Sequence, residues 1–445
     1  MKDRSEEQLP ASVSDKTKQA GEVRARWAWT EPQAWTQRML TTLERGVKGG
    51  KWFSLVDKVY SPAVLKAAFA RVAANGGAPG VDRQTIEMFK RHLDDNLAYL
   101  SEQLQKGTYR PQAIRRTYIP KPGSSEERAL GIPTVRDRVV QTAMRMVIEP
   151  IFERDFAEQS YGFRPGRGCK DALRRVVGLL ENGNVWVVDA DFKSYFDTIP
   201  HQCLMDEVRA KISDGRVLEM IESYLKQQVM ETAKTWTPEQ GAPQGAVLSP
   251  LLSNIYLDPL DKLMADKGFE MARYADDFVI LCKSEQEASE ALEVVKQWTD
   301  ERGLKLHPEK THIVDATHKG GFDFLGYHFE RGLRWPRKKS LRKFKDEIRG
   351  KTRRANGYSL QKIILDVDKT LAGWFEYFKH SHWTTFRPLD SWIRMRLRSI
   401  LRKRMGGKGR GRGRDHQRWT NAFFAEQGLF SLSAAHAEAC QSLRR

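Results

Sequence analysis

The stretch "RYADDFVILC", starting at Arg273, sets two adjacent aspartates, Asp276 and Asp277, between an aromatic residue and an apolar run. Carboxylates beside buried surface are costly unless something pairs with them. About 85 residues earlier, "VVDADFKSYFDTI" places Asp189, Asp191 and Asp197 in a second apolar setting. Strand alternation puts Asp189 and Asp191 on one face, with Asp197 six residues beyond Asp191, and does not choose among them. Nucleotide transfer needs an activated hydroxyl and a neutralised phosphorus centre, which divalent metals supply together. Mg2+ takes hard oxygen ligands and shares its shell with substrate phosphates, so two or three carboxylates on rigid strands would serve.

Those carboxylates need elements to hold them. From about Thr36 to Ala74 the apolar spacing predicts helix, "NGGAPGVD" breaks it, and "RQTIEMFKRHLDDNLAYLSEQLQKG" reads as one further helix closed by Gly107. "IRRTYIPKP" is extended, and "TVRDRVVQTAMRMVIEPIFERDF" is helical again. "NVWVVDADF" reads as a buried strand, "GAPQGAVLSPLLSNIYLDPLDKLM" as a loop feeding a long helix, and "MARYADDFVIL" as two strands around a turn. "EQEASEALEVVKQWTDERG" is an amphipathic helix, and "LKLHPEKTHIV" and "FDFLGYHFE" are strand-like. Strands alternating with helices, with a hairpin among them, predict an α+β sheet with helices on one face.

Charge separates the chain into two parts. Residues 1–330 carry 46 Lys+Arg against 48 Asp+Glu, a net of −2, whereas residues 331–445 carry 29 against 9, a net of +20. A basic excess confined to the last quarter implies a polyanion, here nucleic acid, held chiefly by the C-terminal part. No apolar run approaches bilayer length. The polar N-terminus, "MKDRSEEQLPASVSDKTKQAGE", has no apolar signal core and is expected to be a disordered leader. Cys169, Cys203, Cys282 and Cys440 form no C-x-x-C pair, which argues against structural zinc or disulfides and suits a reducing cytosol.

"YADD", preceded by "PQGAVLSPLLSNIYL" and "DADFKSYFDTI", resembles the palm of a reverse transcriptase, and more narrowly the group II intron-encoded reverse transcriptase/maturases. The likeness runs from about residue 32 onward through ordered blocks: "GAPGVDRQT", "YIPKPGSSEERALGIPTVRDRVVQ", "SYGFRPGRGCKDAL", "GLKLHPEKT" and "FDFLGYHF" besides those already quoted. It implies a right-hand polymerase with fingers and a ferredoxin-like antiparallel palm, followed by an α-helical thumb. The expected divisions are a leader over 1–30, an N-terminal extension and start of the fingers over 31–110, and fingers and palm over 111–335. The thumb or maturase domain takes 336–402, and a basic linker with a DNA-binding tail takes 403–445.

The resemblance also assigns roles. An aspartate followed five residues later by an aromatic fits Asp191 and Phe196. Asp191 then joins Asp276 and Asp277 as a ligand of two Mg2+ ions, with the Phe192 carbonyl as a further ligand. Phe196 resembles the steric gate that favours dNTPs over ribonucleotides. Lys121 and Arg128 match the basic fingers pair that grips the incoming triphosphate, as a point charge plus a forked guanidinium should. Gln244 resembles a residue lining the nucleotide and template pocket, and Lys310 the lysine that protonates leaving pyrophosphate. Asp189 and Asp197 fall to structural roles.

Past residue 340 the basic helices resemble the thumb, which holds duplex through cations and aromatic or apolar surface. The aromatics of "WFEYFKHSHW" recur at helical spacing and are expected mostly in the core, and His380 and His382 are given no ligand role. "KGRGRGRDHQRWTNAFFAEQGLFSL" resembles the short DNA-binding tail of bacterial class C members. No H-N-H endonuclease motif follows, so the DNA primer is expected from elsewhere, such as a nascent strand at a replication fork. The implied function is an RNA-directed DNA polymerase that binds intron RNA, assists its splicing and copies it. A splicing maturase without polymerase activity, and a reverse transcriptase recruited to host defence or repair, are the alternatives.

Overall fold

The computed structural model describes residues 22–120, 127–232 and 234–442. The helix Val135–Glu153 is the spine of the N-terminal two thirds. Thr134 caps it by accepting from the Asp137 N–H, and apolar residues on every side bury it, from Val135 to Phe152. Around it pack the helices Gln37–Arg45 and Pro62–Asn75, in a core continuous with that of the palm.

Ordered structure starts earlier than the expected leader allows. Trp27 is buried, and its Nε1 donates to Glu44 at 2.6 Å, so residues 22–30 are part of this layer. The single helix expected over residues 83–107 is two, Ile86–Arg91 and Leu93–Lys106. His92 leaves helical geometry between them, and Asn96 Nδ2 reaches back to satisfy the Phe89 carbonyl at 2.9 Å. Gly107 does close the second helix, in left-handed geometry.

The fingers are a four-stranded sheet in the order β2-β1-β4-β5, from β1 (Ile114–Pro120), β2 (Glu127–Ile132), β4 (Val229–Glu231) and β5 (Lys234–Trp236). The palm comprises β3 (Trp186–Asp191), β6 (Glu270–Tyr274), β7 (Asp277–Cys282) and β8 (His312–Asp315). Its order, β6-β7-β3-β8, is antiparallel throughout and is that of a ferredoxin-like sheet. Helices cover both faces, in correction of the one-sided expectation. Val188, Ala190, Phe278 and Ile280 pack towards the helix Glu285–Glu301, and Val187, Val279 and Leu281 towards the helix Cys169–Glu181. Strand alternation supplies apolar residues on each side, so neither face can meet water.

Only the end of "LKLHPEKTHIV" is a strand. Residues 305–311 instead dock on the end of β3 through Lys193 N to Lys305 O (2.8 Å) and His307 N to Asp191 O (2.7 Å). A small sheet of β9 (Phe322–Phe324), β10 (Tyr327–Glu330) and β11 (Leu333–Pro336) lies against the second palm face.

The C-terminal part is a helical bundle of Lys338–Lys351, Leu360–Phe378 and Phe386–Arg404. Phe375 and Phe378 are core residues, as their spacing predicted, whereas Trp383 is 60 % exposed. The stretch expected to be a flexible linker is folded. Gly411 packs on Arg398, and Arg402 Nε holds the Lys408 carbonyl at 2.9 Å. Trp419, Phe424 and Leu432 enter the same core as Phe386 and Ile393, so thumb and tail are one packing unit. Among the described residues no helix is long and apolar enough to cross a membrane.

The buried Asp390 seats the last helix, Leu432–Ser442, by accepting from the Leu432 and Ser433 N–H groups, each at 3.0 Å. Asp390→Ala leaves those donors bare, and thermal or urea unfolding of the thumb unit should show a loss of about 3 kcal/mol.

Candidate active site

β3 and β7 pair so that Asp191 stands directly opposite Asp277, with Asp189 one pleat further along the same face. Asp276 occupies the two-residue turn between β6 and β7, since Tyr274 pairs with Asp277. The sequence residues Asp191, Asp276 and Asp277 are thus brought together at one strand end.

The turn is held in a conformation that it would not choose alone. Ala275 has φ +61°, which costs a non-glycine residue about 1 kcal/mol. Arg273, with no exposed surface, fixes it from behind. Its Nη1 donates to the Ala275 carbonyl (2.8 Å) and Asn254 Oδ1 (3.0 Å), its Nη2 to Ser160 Oγ (2.8 Å) and Asp261, and its Nε to Asp261 Oδ1 (2.8 Å). All the donors of the guanidinium are therefore used. The segment before Gly162 runs alongside, with Arg273 N on Gln159 O and Tyr161 N on Arg273 O, both 2.9 Å. A Cβ on Gly162 would lie 2.2 Å from the Ala275 nitrogen, so only glycine admits this approach.

Burial and mutual repulsion dominate the electrostatics. Asp277 is pushed up to about 7, first by burial and then by Asp189, Asp276 and Asp191. Asp189 is likewise raised to about 7, by burial and then by Asp323 and Asp191. Burial raises Asp276 too, with Asp191 adding to it and the Arg128 and Arg273 guanidiniums working against it. Lys310 Nζ sits 2.6 Å from Asp191 Oδ2 and supplies one positive charge where these acids repel. The docked 305–311 loop puts it there.

These are hard oxygen donors, crowded and under-neutralised, and they fit a divalent cation. Among the described residues no three His, Cys, Asp or Glu side chains converge closely enough to hold a metal alone. Mg2+ does not require that, since it keeps waters and takes phosphate oxygens.

The other expected residues fall into two places. Phe192 buries its ring against Tyr195 and Phe278, and the two bonds to residues 305–307 run through Asp191 O and Lys193 N, so neither uses the Phe192 carbonyl. Phe196 and Gln244 line one cleft of about 560 Å3 that also reaches the fingers strands β1 and β2. Gly131 N donates to the Gln244 carbonyl at 2.6 Å, which ties that residue to the fingers. Arg128 is exposed on β2, and its charge is felt at Asp276. Lys121 lies outside the described residues. Asp189 faces His312 at 3.8 Å, and Asp197 is exposed at the cleft edge. Sequence reasoning passed over Arg273, Asp261, Asn254, Ser160 and Gly162. The signal available was an arginine, four residues before Asp277, next to the end of a short strand whose neighbours Met271 and Ala272 are apolar.

Residues 119–329 match the family described as reverse transcriptase (RNA-dependent DNA polymerase), and residues 341–419 match the group II intron, maturase-specific domain. Protein YkfC of Escherichia coli (strain K12) is 34% identical over 347 residues, which cover 69% of this chain and 86% of that protein. The chain belongs to the group II intron reverse transcriptase/maturase family. The group II intron-encoded protein LtrA of Lactococcus lactis subsp. cremoris is 37% identical over 205 residues, covering 46% of this reverse transcriptase and 34% of LtrA. A solved Cas6-RT-Cas1--Cas2 complex matches 56% of this chain and 41% of that one at 28% identity, with a TM-score of 0.37. The first family match contains Asp191, Asp276 and Asp277, and the second continues past Arg402 to Trp419.

Two outcomes test this geometry. Arg273→Met leaves Asp261 buried without its counter-charge, so urea unfolding should show a loss of about 3–5 kcal/mol. The second concerns pH. Asp189 and Asp277 titrate near 7 rather than the ordinary 3.8, so ionising them costs stability that is absent below about pH 4 and fully felt above about 7. A divalent cation competes with those protons, so half-maximal primer extension should need several-fold less Mg2+ at pH 7.5 than at pH 6. An unchanged requirement would show that the acids are not linked to metal.

Proposed function

We propose that this reverse transcriptase copies group II intron RNA into cDNA at the Asp191–Asp276–Asp277 cluster, and that its basic thumb and tail bind the intron RNA to assist splicing and mobility. The observation that carries the reading is the register of β3 against β7, which opposes two of the three aspartates beside the turn that bears the third. Mg2+ bound by these carboxylates, in two ions with the Phe192 carbonyl as a further ligand, would activate the primer 3′-hydroxyl and offset charge at the transferred phosphorus. Arg128 with Lys121 would grip the dNTP triphosphate, and the ring of Phe196 would bar a ribose 2′-hydroxyl. Gln244 would line the pocket of the incoming and templating bases. Lys310, already beside Asp191, would hand a proton to the leaving pyrophosphate.

The thumb supports an RNA partner on chemical grounds. Lys345, Arg349 and Arg396 all lie within 6.0 Å of the Trp392 ring, a cationic and aromatic surface of the kind that holds phosphate and base together. The DNA target and primer would lie along the same basic face, and the work would be done in the bacterial cytosol, at the nucleoid when on DNA.

Extension of a DNA primer on an RNA template with dNTPs and Mg2+ tests the central claim. Wild type should extend, and the Asp276→Ala, Asp277→Ala double variant, shown folded by circular dichroism, should fall by at least about a thousandfold. Failure of well-folded wild type would leave an RNA-binding maturase as the account.

A further inference from the structure

Palm, thumb and tail meet around β11. The Arg334 carbonyl accepts from the His382 N–H, and its Nε donates to the His380 carbonyl, both at 2.7 Å. The turn that follows the helix Leu360–Phe378 is thereby clamped to the strand. Lys170 Nζ meets Glu376 at 2.6 Å and ties the helix Cys169–Glu181 to the same thumb helix. His436 arrives from the last helix and packs its ring on Phe386, with 4.6 Å between centroids.

The side chains at this junction do not fill it. Two adjoining hollows remain, of about 410 and 210 Å3, and Val177, Glu181, Phe329, Arg334 and His380 line both. The larger also has Leu180, Leu333 and Trp383 on its wall. The smaller has Gly178, where a Cβ would meet nothing within 4 Å. Glycine in mid-helix costs about 1 kcal/mol against alanine, and here it leaves space open.

Chemistry narrows the occupant. Each hollow has apolar walls, yet both share a guanidinium whose two amino groups have no hydrogen-bonding acceptor among the described residues. Burial pulls Arg334 below its ordinary value, so an anion beside it would offset a cost that the fold already bears. An acyl chain would have to cross that charge. A nucleic-acid strand alternates flat bases with phosphates, which matches an apolar hollow, an arginine and a second apolar hollow. Glu181 adds an acceptor for a base amino group.

Trp383 is 60 % exposed and presents its ring at the mouth of the larger hollow. His382 lies 5.5 Å from it and Trp335 5.7 Å from His382, a row of rings that runs to the cleft lined by Asp189, Lys338 and Lys339. Of the strands that the proposed function brings to the thumb, folded RNA is the one that carries unpaired nucleotides outside the polymerase cleft. We propose that the two hollows take two consecutive unpaired nucleotides of the bound RNA, their linking phosphate on Arg334 and the outer base on Trp383. This rests on the reading of the thumb as an RNA-binding unit and gives that unit a site for bulged or looped RNA.

The test uses the full chain with its polymerase cleft filled by excess unlabelled DNA primer on RNA template. Two fluorescein-labelled RNA hairpins, one fully paired and one with a two-adenosine bulge, are then compared by fluorescence anisotropy. Wild type should bind the bulged hairpin about tenfold more tightly. That preference should fall towards one in Trp383→Ala and persist in Trp383→Phe, which keeps a ring. Gly178→Leu fills the smaller hollow from a helix that accepts the side chain, so it should lose the preference while its thermal unfolding is unchanged or raised. Adenosine monophosphate at millimolar concentration should leave the preference in place, because one nucleotide does not span both hollows. Its erasure by that nucleotide would assign the hollows to a free ligand and overturn the proposal, as would an intact preference in Trp383→Ala or Gly178→Leu. Equal, tight binding of both hairpins by wild type would sink this site alone, whereas no binding of either would sink the RNA-binding reading with it.

Discussion

The buried pairing of Arg273 with Asp261 is the constraint on which the candidate active site depends. Strand β6 must end in a turn that bears Asp276 and leads straight into Asp277, and that turn places Ala275 in a backbone region alanine avoids. One guanidinium corrects this by gathering acceptors from two other parts of the chain, Ser160 on a loop and Asn254 and Asp261 on one helix, and binding the Ala275 carbonyl among them. A buried ion pair of this kind contributes little net stability, because two charges are desolvated to form it. Its value is in geometry, since a planar fork with every donor used has one orientation. The carboxylates at this turn are thus placed by a residue with no exposed surface.

That arrangement also separates two electrostatic tasks. The palm crowds aspartates until two of them hold protons to near neutrality, which prepares a site for positive charge. The C-terminal bundle does the reverse and spreads its excess of Lys and Arg over an exposed surface. Lys310 stands at the boundary as a cation among the acids, delivered by a loop whose own backbone is bonded to β3. Long-range attraction for a polyanion and short-range demand for a small cation coexist because they are carried by different domains.

Much of this was legible in the chain because it is local. Alternation in "NVWVVDADF", the cap and Gly stop around Leu93–Lys106, and the hairpin of "MARYADDFVIL" all follow from neighbours within a few residues. Asp191 could be separated from Asp189 only by family resemblance, since both lie on one face and strand period does not say which end meets the turn. What escaped was non-local. Arg273 reads as a polar residue on an apolar strand until Asp261 and Ser160 are beside it, and a helix on the second palm face cannot be seen from a strand's own pattern. The break at His92 was missed because the apolar period crosses it unchanged. The glycine-rich 406–413 stretch reads as flexible by composition, and only packing of Gly411 on Arg398 reveals otherwise.

The shared core of thumb and tail bears on how such proteins diversify. Trp419, Phe424 and Leu432 are interior to the bundle built by Phe386, Ile393 and Leu397. A cut after Arg404 would leave a groove of bare hydrocarbon on one piece and an unfolded remnant on the other. Recombination between relatives that respects foldability must therefore move the segment from Lys338 to Ser442 as one heritable cassette. The tail by itself is therefore not a transferable module.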